Sequence, residues 1–469
     1  MIILGLLALA QFMVVLDTSV ANVALPAIQK TLGFDPSALQ WVITAYALTF
    51  GGTLLLGGRA ADLFGRRRVL LSGIIGFTTV SLLIGLAQNP TELIILRALQ
   101  GMAAAFMSPS ALSIVLTTFR EGKARNMALG VWTAVAGGGA AAGLVIGGLL
   151  TEYLNWRWNF FINVPVGIAA VIGILKFVPP HASTATHRHL DLRGATLVTS
   201  GLMTLVYGLT EASSWGWLSG QTLGFLAASA ALLAGFVWNE ARAPHPLMPL
   251  SIFKIRNVAG ANAMMTPVMA SMLGMFFLLS LYIQVVMKYT PLETGVAFLP
   301  FPITLAVVAN IIPRFIPRLG YKRFLMTGTL LLAAGLLWLS QLSLGSDYWV
   351  GILPAIVLMA TGMGMSFISI NIAATSGVPA NEAGLASGML NTSQQMGGAL
   401  GLAILSGVAT SVAAGSAHLG PVTALLNGDK GAFLAASMFA GIAFLIAAFV
   451  IKEQKQKGTK LETSTVAAH

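Results

Sequence analysis

The chain of 469 residues is 56% hydrophobic and only 9% charged, carries no cysteine and has a formal net charge of +11. Soluble domains need roughly 25% charged residues to cover their surface, so a water-soluble globule is excluded. The missing thiols exclude disulfides, thiolate metal sites and cysteine nucleophiles.

An apolar helix needs ~20 residues to cross ~30 Å of hydrocarbon. Runs of that kind appear, in chain order, at Ile2–Pro26, Leu39–Leu56, Val69–Ala87, Leu93–Phe119, Met127–Leu150, Phe160–Val178 and Gly194–Leu209. They continue at Leu218–Trp238, Val258–Met287, Gly295–Ile312, Phe324–Leu344, Tyr348–Val378, Leu385–Val412 and Ala432–Ile451. An all-α integral membrane protein of about fourteen crossings is the expectation, with the seventh run short. The first run lacks a basic leader and carries Asp17, so a cleavable signal peptide is not expected.

Placing the N-terminus in the cytoplasm puts most of the 26 basic residues in loops after even-numbered helices or in the C-terminal tail. Only Lys30, Arg157, Lys288 and Lys430 fall on the opposite side, and Arg97 lies within a helix. That alternation follows the cytoplasmic excess of Lys and Arg in membrane proteins. It predicts both termini inside, and the basic charge calls for no nucleic acid. His181, His187 and His189 fall in a polar stretch that reads as a linker rather than a metal site.

The chain also repeats weakly. Residues 57–68, GGRAADLFGRRR, return at Pro313–Arg323, with Gly65 on Gly320; Gly101 falls on Gly362, and Gly139 and Gly143 on Gly397 and Gly401. Two six-helix bundles are expected, at 1–179 and 257–451. Residues 180–256 form a linker with two extra helices, and 452–469 a basic cytoplasmic tail. Parallel repeats with a site between them near the midplane are an architecture of secondary transporters.

Asp17 lies nine residues before Pro26, ~14 Å from the outer helix end. An ionised, unpaired carboxylate there costs several kcal/mol, so it can bind and release a proton as access alternates; a permanent salt bridge is the alternative. Arg97, seven residues past Pro90, lies ~10 Å deep on a helix running inward, within reach of Asp17. Backbone carbonyls and Gln100 are its alternative partners. Gln11, Thr18 and Asn22 share one stripe of the first helix, about 100° from Asp17, which can therefore face a neighbouring helix instead. Between the second and third helices, Gly58 and Gly65 are expected to permit a tight turn. Asp62 can pair with Arg66, beside Arg67 and Arg68.

Residues 57–68 resemble the loop signature of the major facilitator superfamily, and Leu16–Pro26 the first-helix signature of its fourteen-helix drug:proton antiporters. Arg97, Gln100 and Gly101 are similar to that family's fourth-helix element. Gly130, Gly139, Gly143, Gly147 and Gly148 resemble its antiporter motif, and Trp156–Pro165 a further segment. Leu63 replaces the family's usual basic residue after the loop aspartate. Leu144 replaces the proline of the antiporter motif, so a straighter fifth helix is expected.

The resemblance implies the major facilitator fold and a bacterial cytoplasmic-membrane exporter of hydrophobic or amphipathic drugs, driven by protons through Asp17 and Arg97. Gly58, Asp62, Gly65, Arg66, Arg67, Gln100, Gly101, Gly139, Gly143 and Gly147 are the expected conformational residues. Candidate cavity residues are Thr18, Asn22, Trp132, Met269, Asn371 and Gln394. For Met265, Met269 and Met272, which share one face, ordinary packing is the competing reading, as bonding across helices is for Asn371 and Gln394. A monomer with no cofactor is expected, its partners a small-molecule substrate and membrane lipid; an adaptor protein is left open, since no residue proves or excludes one. Proton-linked uptake of a metabolite remains the alternative. A channel filter or a clustered enzyme site is not evident.

Overall fold

A computed structural model describes residues 2–35, 38–119, 123–179, 191–244, 246–378 and 383–453. Among them the chain is helical throughout, without a strand. The first part comprises α1 (Ile2–Leu32), α2 (Trp41–Phe64), α3 (Arg66–Leu86), α4 (Pro90–Thr118), α5 (Lys123–Tyr153), the short α6 (Trp158–Phe161) and α7 (Asn163–Phe177). Two further helices follow, α8 (Leu192–Trp215) and α9 (Gly220–Arg242). The last part comprises α10 (Arg256–Leu281), α11 (Pro291–Phe298), α12 (Pro300–Leu319), α13 (Tyr321–Leu339), α14 (Leu353–Thr375), α15 (Ala383–Gly415) and α16 (Pro421–Phe449). A π-helical turn, Tyr282–Val286, extends α10, and another, Tyr348–Ile352, precedes α14.

Local chemistry sets many of the breaks. Gly65 (φ 93°) separates α2 from α3 and Gly320 (φ 79°) separates α12 from α13; both conformations are strained for any residue with a Cβ. Asn89 accepts a hydrogen bond from the Glu92 amide at the start of α4. Thr290 and Glu293 form a reciprocal capping box at α11.

Thirteen of the helical segments are long and apolar enough to cross a membrane among the described residues. The remaining crossing, the short seventh run Gly194–Leu209, corresponds to α8, which has 24 residues, six more at its C-terminal end than the apolar run. Arg193, Glu211 and several hydroxyls make it more polar than the rest. A larger correction concerns the last helix. It begins at Pro421 rather than Ala432, which brings Asp429 and Lys430 inside a helix of 29 residues.

The two parts pack alike. A Cβ on Gly143 would lie 2.6 Å from the Ser19 Cβ, and one on Gly147 would lie 2.8 Å from the Val20 Cα, so these glycines seat α5 directly on α1. Gly397 and Gly401 of α15 meet Thr266 and Ala270 of α10 in the same way. The α8–α9 hairpin lies against α2 and α15, with Gln40 donating to the Thr210 hydroxyl at 3.3 Å.

Chain ends define one face of the bundle. Arg67 donates to the Leu175 carbonyl at 2.6 Å, and Arg256 to the Phe449 and Val450 carbonyls. Glu453 accepts from the amides of Tyr321 and Lys322. These contacts gather the starts of α3, α10 and α13 with the ends of α7 and α16; the opposite face is the far end of the bundle. The linker histidines and the tail beyond Glu453 lie outside the described residues.

Candidate functional site

Asp17 is fully buried on α1 and every helix of the first part except α5 contributes to its surroundings. Arg97 of α4 donates from Nη1 to Asp17 Oδ2 at 2.5 Å. Gln100, one turn on, donates to Asp17 Oδ1 at 2.8 Å, and Asn163 of α7 reaches the same oxygen at 3.1 Å. The Ser81 hydroxyl of α3 accepts from both amides. Arg97 also donates from Nε to the Val42 carbonyl of α2 at 2.8 Å and from Nη1 to Gln100 Oε1 at 2.6 Å. Its guanidinium sits 4.5 Å from the Tyr46 ring centroid on α2, with Phe160 on another side. The Arg97–Asp17 hydrogen bond joins two ionised groups, and such charge-assisted bonds are roughly twice as strong as neutral ones.

The network uses Arg97 for the carboxylate, for Gln100 and for a backbone carbonyl at once, joining the partners that the sequence left as alternatives. Ser81, Asn163 and Tyr46 were not legible as members. Asp17 points into its own bundle, away from the second part of the chain.

The neighbouring stripe behaves differently. Thr18 and Asn22 bond to carbonyls of their own helix, and Gln11 accepts from Ser108 of α4. The Asn22 backbone reaches across to the second part of the chain. Pro26 has no amide hydrogen to offer the carbonyl four residues back, and that Asn22 carbonyl accepts instead from the Ser280 hydroxyl of α10 at 3.0 Å. Gln284, in the π-helical turn, donates to the Val23 carbonyl at 3.0 Å.

At the same far end, α5 meets α11. Gly148 has Pro291 and Leu292 backbone within 3 Å of where a Cβ would stand, and Gly295 abuts the Leu144 carbonyl. The Leu292 amide donates to Glu152 at 3.1 Å. The antiporter-like glycines thus serve two contacts: Gly139, Gly143 and Gly147 face α1, while Gly148 faces the other half. Leu144, standing in place of a proline, lies at that second contact. Gly130 has open space around it.

In the segment 57–68, Asp62 and Arg66 pair at 3.6 Å at the surface. Gly65 makes the turn, but Gly58 does not: it lies inside α2 with its nearest neighbour, Pro109, 3.8 Å from a Cβ position. The close approach belongs to Gly57, whose Cβ position abuts the Ala105 carbonyl of α4. Gly101 similarly admits the Tyr46 carbonyl and Thr49.

The cavity candidates are not drawn into one cluster. Trp132 is half-buried against the core of the first part. Met265 and Met272 are buried and Met269 is half-buried in the core of the second, which is the packing reading of that stripe. Asn371 bonds to the Phe367 carbonyl of its own helix. Gln394 is half-buried, and its neighbour Gln395 packs on Gly51 of α2. A cavity of about 360 Å³ lies elsewhere, lined by Leu56, Phe64, Arg68, Ser72, Phe106 and Leu192 among others.

A model of the Major Facilitator Superfamily matches residues 7–402. Relatives include puromycin resistance protein pur8 of Streptomyces alboniger, 42% identical over 86% of this chain and 81% of its own. Cephamycin export protein CmcT of Amycolatopsis lactamdurans is 40% identical over 87% and 84%. Multidrug resistance protein Stp of Mycobacterium tuberculosis is 35% identical over 85% and 74%. Solved structures share the fold: peptide transporter POT with a TM-score of 0.68, at 15% identity over 96% of each chain, and a variant of nucleoside transporter NupG, also 0.68, at 11% identity over 96% and 100%. On the family model and these relatives, the chain belongs to the Major Facilitator Superfamily.

Proposed function

We propose that the chain exports hydrophobic or amphipathic drug-like compounds by proton-coupled alternating access, as a multi-pass protein of a bacterial cytoplasmic membrane with both termini inside. The relatives named for antibiotic resistance and export support the cargo class and direction. The observation that carries the coupling is the buried Asp17–Arg97 pair, whose partners extend into five helices of one bundle.

Protonating Asp17 removes the negative charge that Arg97 and two amides are arranged to hold. Arg97 keeps its α2 partners, the Val42 carbonyl and the Tyr46 ring, so the change bears on α2. That helix carries Gly51 against Gln395 of α15, in the other half. Breaking a buried ion pair by removing one partner costs about 3–5 kcal/mol. Moving a two-state equilibrium from 1:99 to 99:1 takes about 5.5 kcal/mol, so one proton on this site approaches the scale needed to switch access.

The cycle uses 1–179 and 257–451 as the moving bundles, with 180–256 as the connecting insert and 452–469 as a tail. A single chain suffices, and the coupling ion is a proton rather than a bound cofactor. The chemistry is translocation, with no covalent step. The test is Asp17→Asn in sealed vesicles under an imposed pH gradient, with ethidium and puromycin as probes. The variant inserts normally and loses gradient-driven transport; proton-driven transport equal to that of the parent overturns the coupling role.

A further inference from the structure

Asp429 is an acid that the proposed coupling does not use. It lies eight residues after Pro421, ~12 Å along α16 from the far end. It is 1% exposed, and both carboxyl oxygens are buried without a hydrogen-bond partner. The comparison with Asp17 is direct: two buried carboxyls, one answered by a guanidinium and two amides, the other by no polar group among the described residues. An unanswered carboxylate in so dry a place costs several kcal/mol, so the neutral acid is the form this packing tolerates.

Among the described residues, the helices packed against α16 place no counter-charge beside Asp429. Among the described residues, α13 bears ionisable side chains only at Tyr321, Lys322 and Arg323, at its opposite end, and α15 bears none. Helix α10 has Arg256 at its start; Tyr282, just past its end, opens the turn that packs against α16. Exposed Lys288 follows that turn, Lys430 projects about 100° away on α16, and His418 precedes the helix.

The place of Tyr282 gives the acid a connection. It opens the π-helical turn whose Gln284 holds the Val23 carbonyl, one turn beyond the Ser280 that holds Asn22. The same end of α10 therefore packs against α16 on one side and latches α1 on the other.

We propose that Asp429 is a second proton-binding site: it carries its proton while the far end is closed and releases it only when α16 and α10 part there and admit water. Charging the group then opposes reclosure until a proton returns, so occupancy of this site gates the latch between α10 and α1. The inference rests on the alternating-access reading but is read out without cargo.

The experiment uses the full chain in lipid. Infrared spectroscopy at neutral pH follows the carbonyl stretch of a protonated carboxyl, in the parent and in Asp429→Asn and Asp429→Glu. Because the chain has no native cysteine, paired labels at Leu149→Cys on α5 and Val296→Cys on α11, both exposed positions, report far-end separation against pH. The parent shows the band and opens as pH rises; Asp429→Asn loses the band and at least about tenfold of the pH-dependent open population, an effect of ~1.4 kcal/mol. Asp429→Glu retains both. A band unchanged by Asp429→Asn, or identical opening curves for parent and Asn variant, overturns the proposal. Loss of transport in Asp17→Asn with these readouts intact leaves the Asp17 coupling standing and this inference refuted when Asp429→Asn matches the parent.

Discussion

Asp17 and Arg97 are 80 positions apart in the chain, yet their side chains meet at 2.5 Å in a fully buried pocket. Their contact makes the integrity of the first bundle depend on a matched charge. Arg97→Ala leaves a buried carboxylate with its two amide donors but no counter-charge, and is expected to destabilise the protein by about 3–5 kcal/mol. Asp17→Asn costs less, because Asn can still accept from Gln100 or Asn163. Adding Asp17→Asn to Arg97→Ala recovers part of the loss. Thermal unfolding in detergent of the two single variants and the double variant measures the coupling; strictly additive losses contradict it.

Far-end closure depends on a glycine opposite a carbonyl. A methyl on Gly295 collides with the Leu144 carbonyl, and overpacking of this kind costs about 1–3 kcal/mol. The contact lies between halves, so Gly295→Ala should disfavour closure rather than folding. Far-end cysteine accessibility should rise and transport fall, while Gly130→Ala, with open space around it, changes neither.

The bond between Ser280 and the Asn22 carbonyl contributes about 1 kcal/mol if it behaves as an average hydrogen bond. Ser280→Ala is therefore expected to shift the closed-to-open ratio about fivefold. Pro26→Ala restores an amide that can reclaim the same carbonyl within α1 and should shift the ratio in the same direction. Distances between labelled pairs across the far end check both; equal ratios in parent and Ser280→Ala show that the bond does not hold the state.

Neighbouring glycines in the 57–68 segment separate by role. Gly65→Ala places a Cβ at φ 93° and costs roughly 1–2 kcal/mol, while Gly57→Ala pushes α2 from α4. Gly58→Ala meets only an ordinary contact with Pro109 and is tolerated. Yield and melting temperature rank the three, and a Gly58 variant as damaged as the Gly57 variant refutes the assignment.

The sequence was informative where one dimension suffices. Lipid selects apolar runs by length, and depth along a helix is a product of residue count and rise, so Asp17 and Arg97 could be set at compatible heights from their distances to Pro26 and Pro90. Rotation is harder. Adjacent residues differ by about 100° around a helix, which is why Gly58 was favoured over Gly57 and why Ser81 and Asn163 went unrecognised. Asp429 was hidden by its neighbours: Asn427, Gly428 and Lys430 dilute the apolar signal, so the helix was begun after them. Its burial is decided by helices far away in sequence.

The orientation of Asp17 carries a consequence for selectivity. Under the proposed coupling, enclosure of the carboxylate by its own bundle means that a cargo between the halves would not compete with the proton for the same atoms. Cationic, neutral and anionic compounds could then share one cycle, and raising their concentration would lower proton occupancy only through the conformational equilibrium. An exporter built this way would discriminate by size and apolar surface at the binding step, while the sign of the cargo's charge would enter through the membrane potential, at about 2.3 kcal/mol per charge per 100 mV.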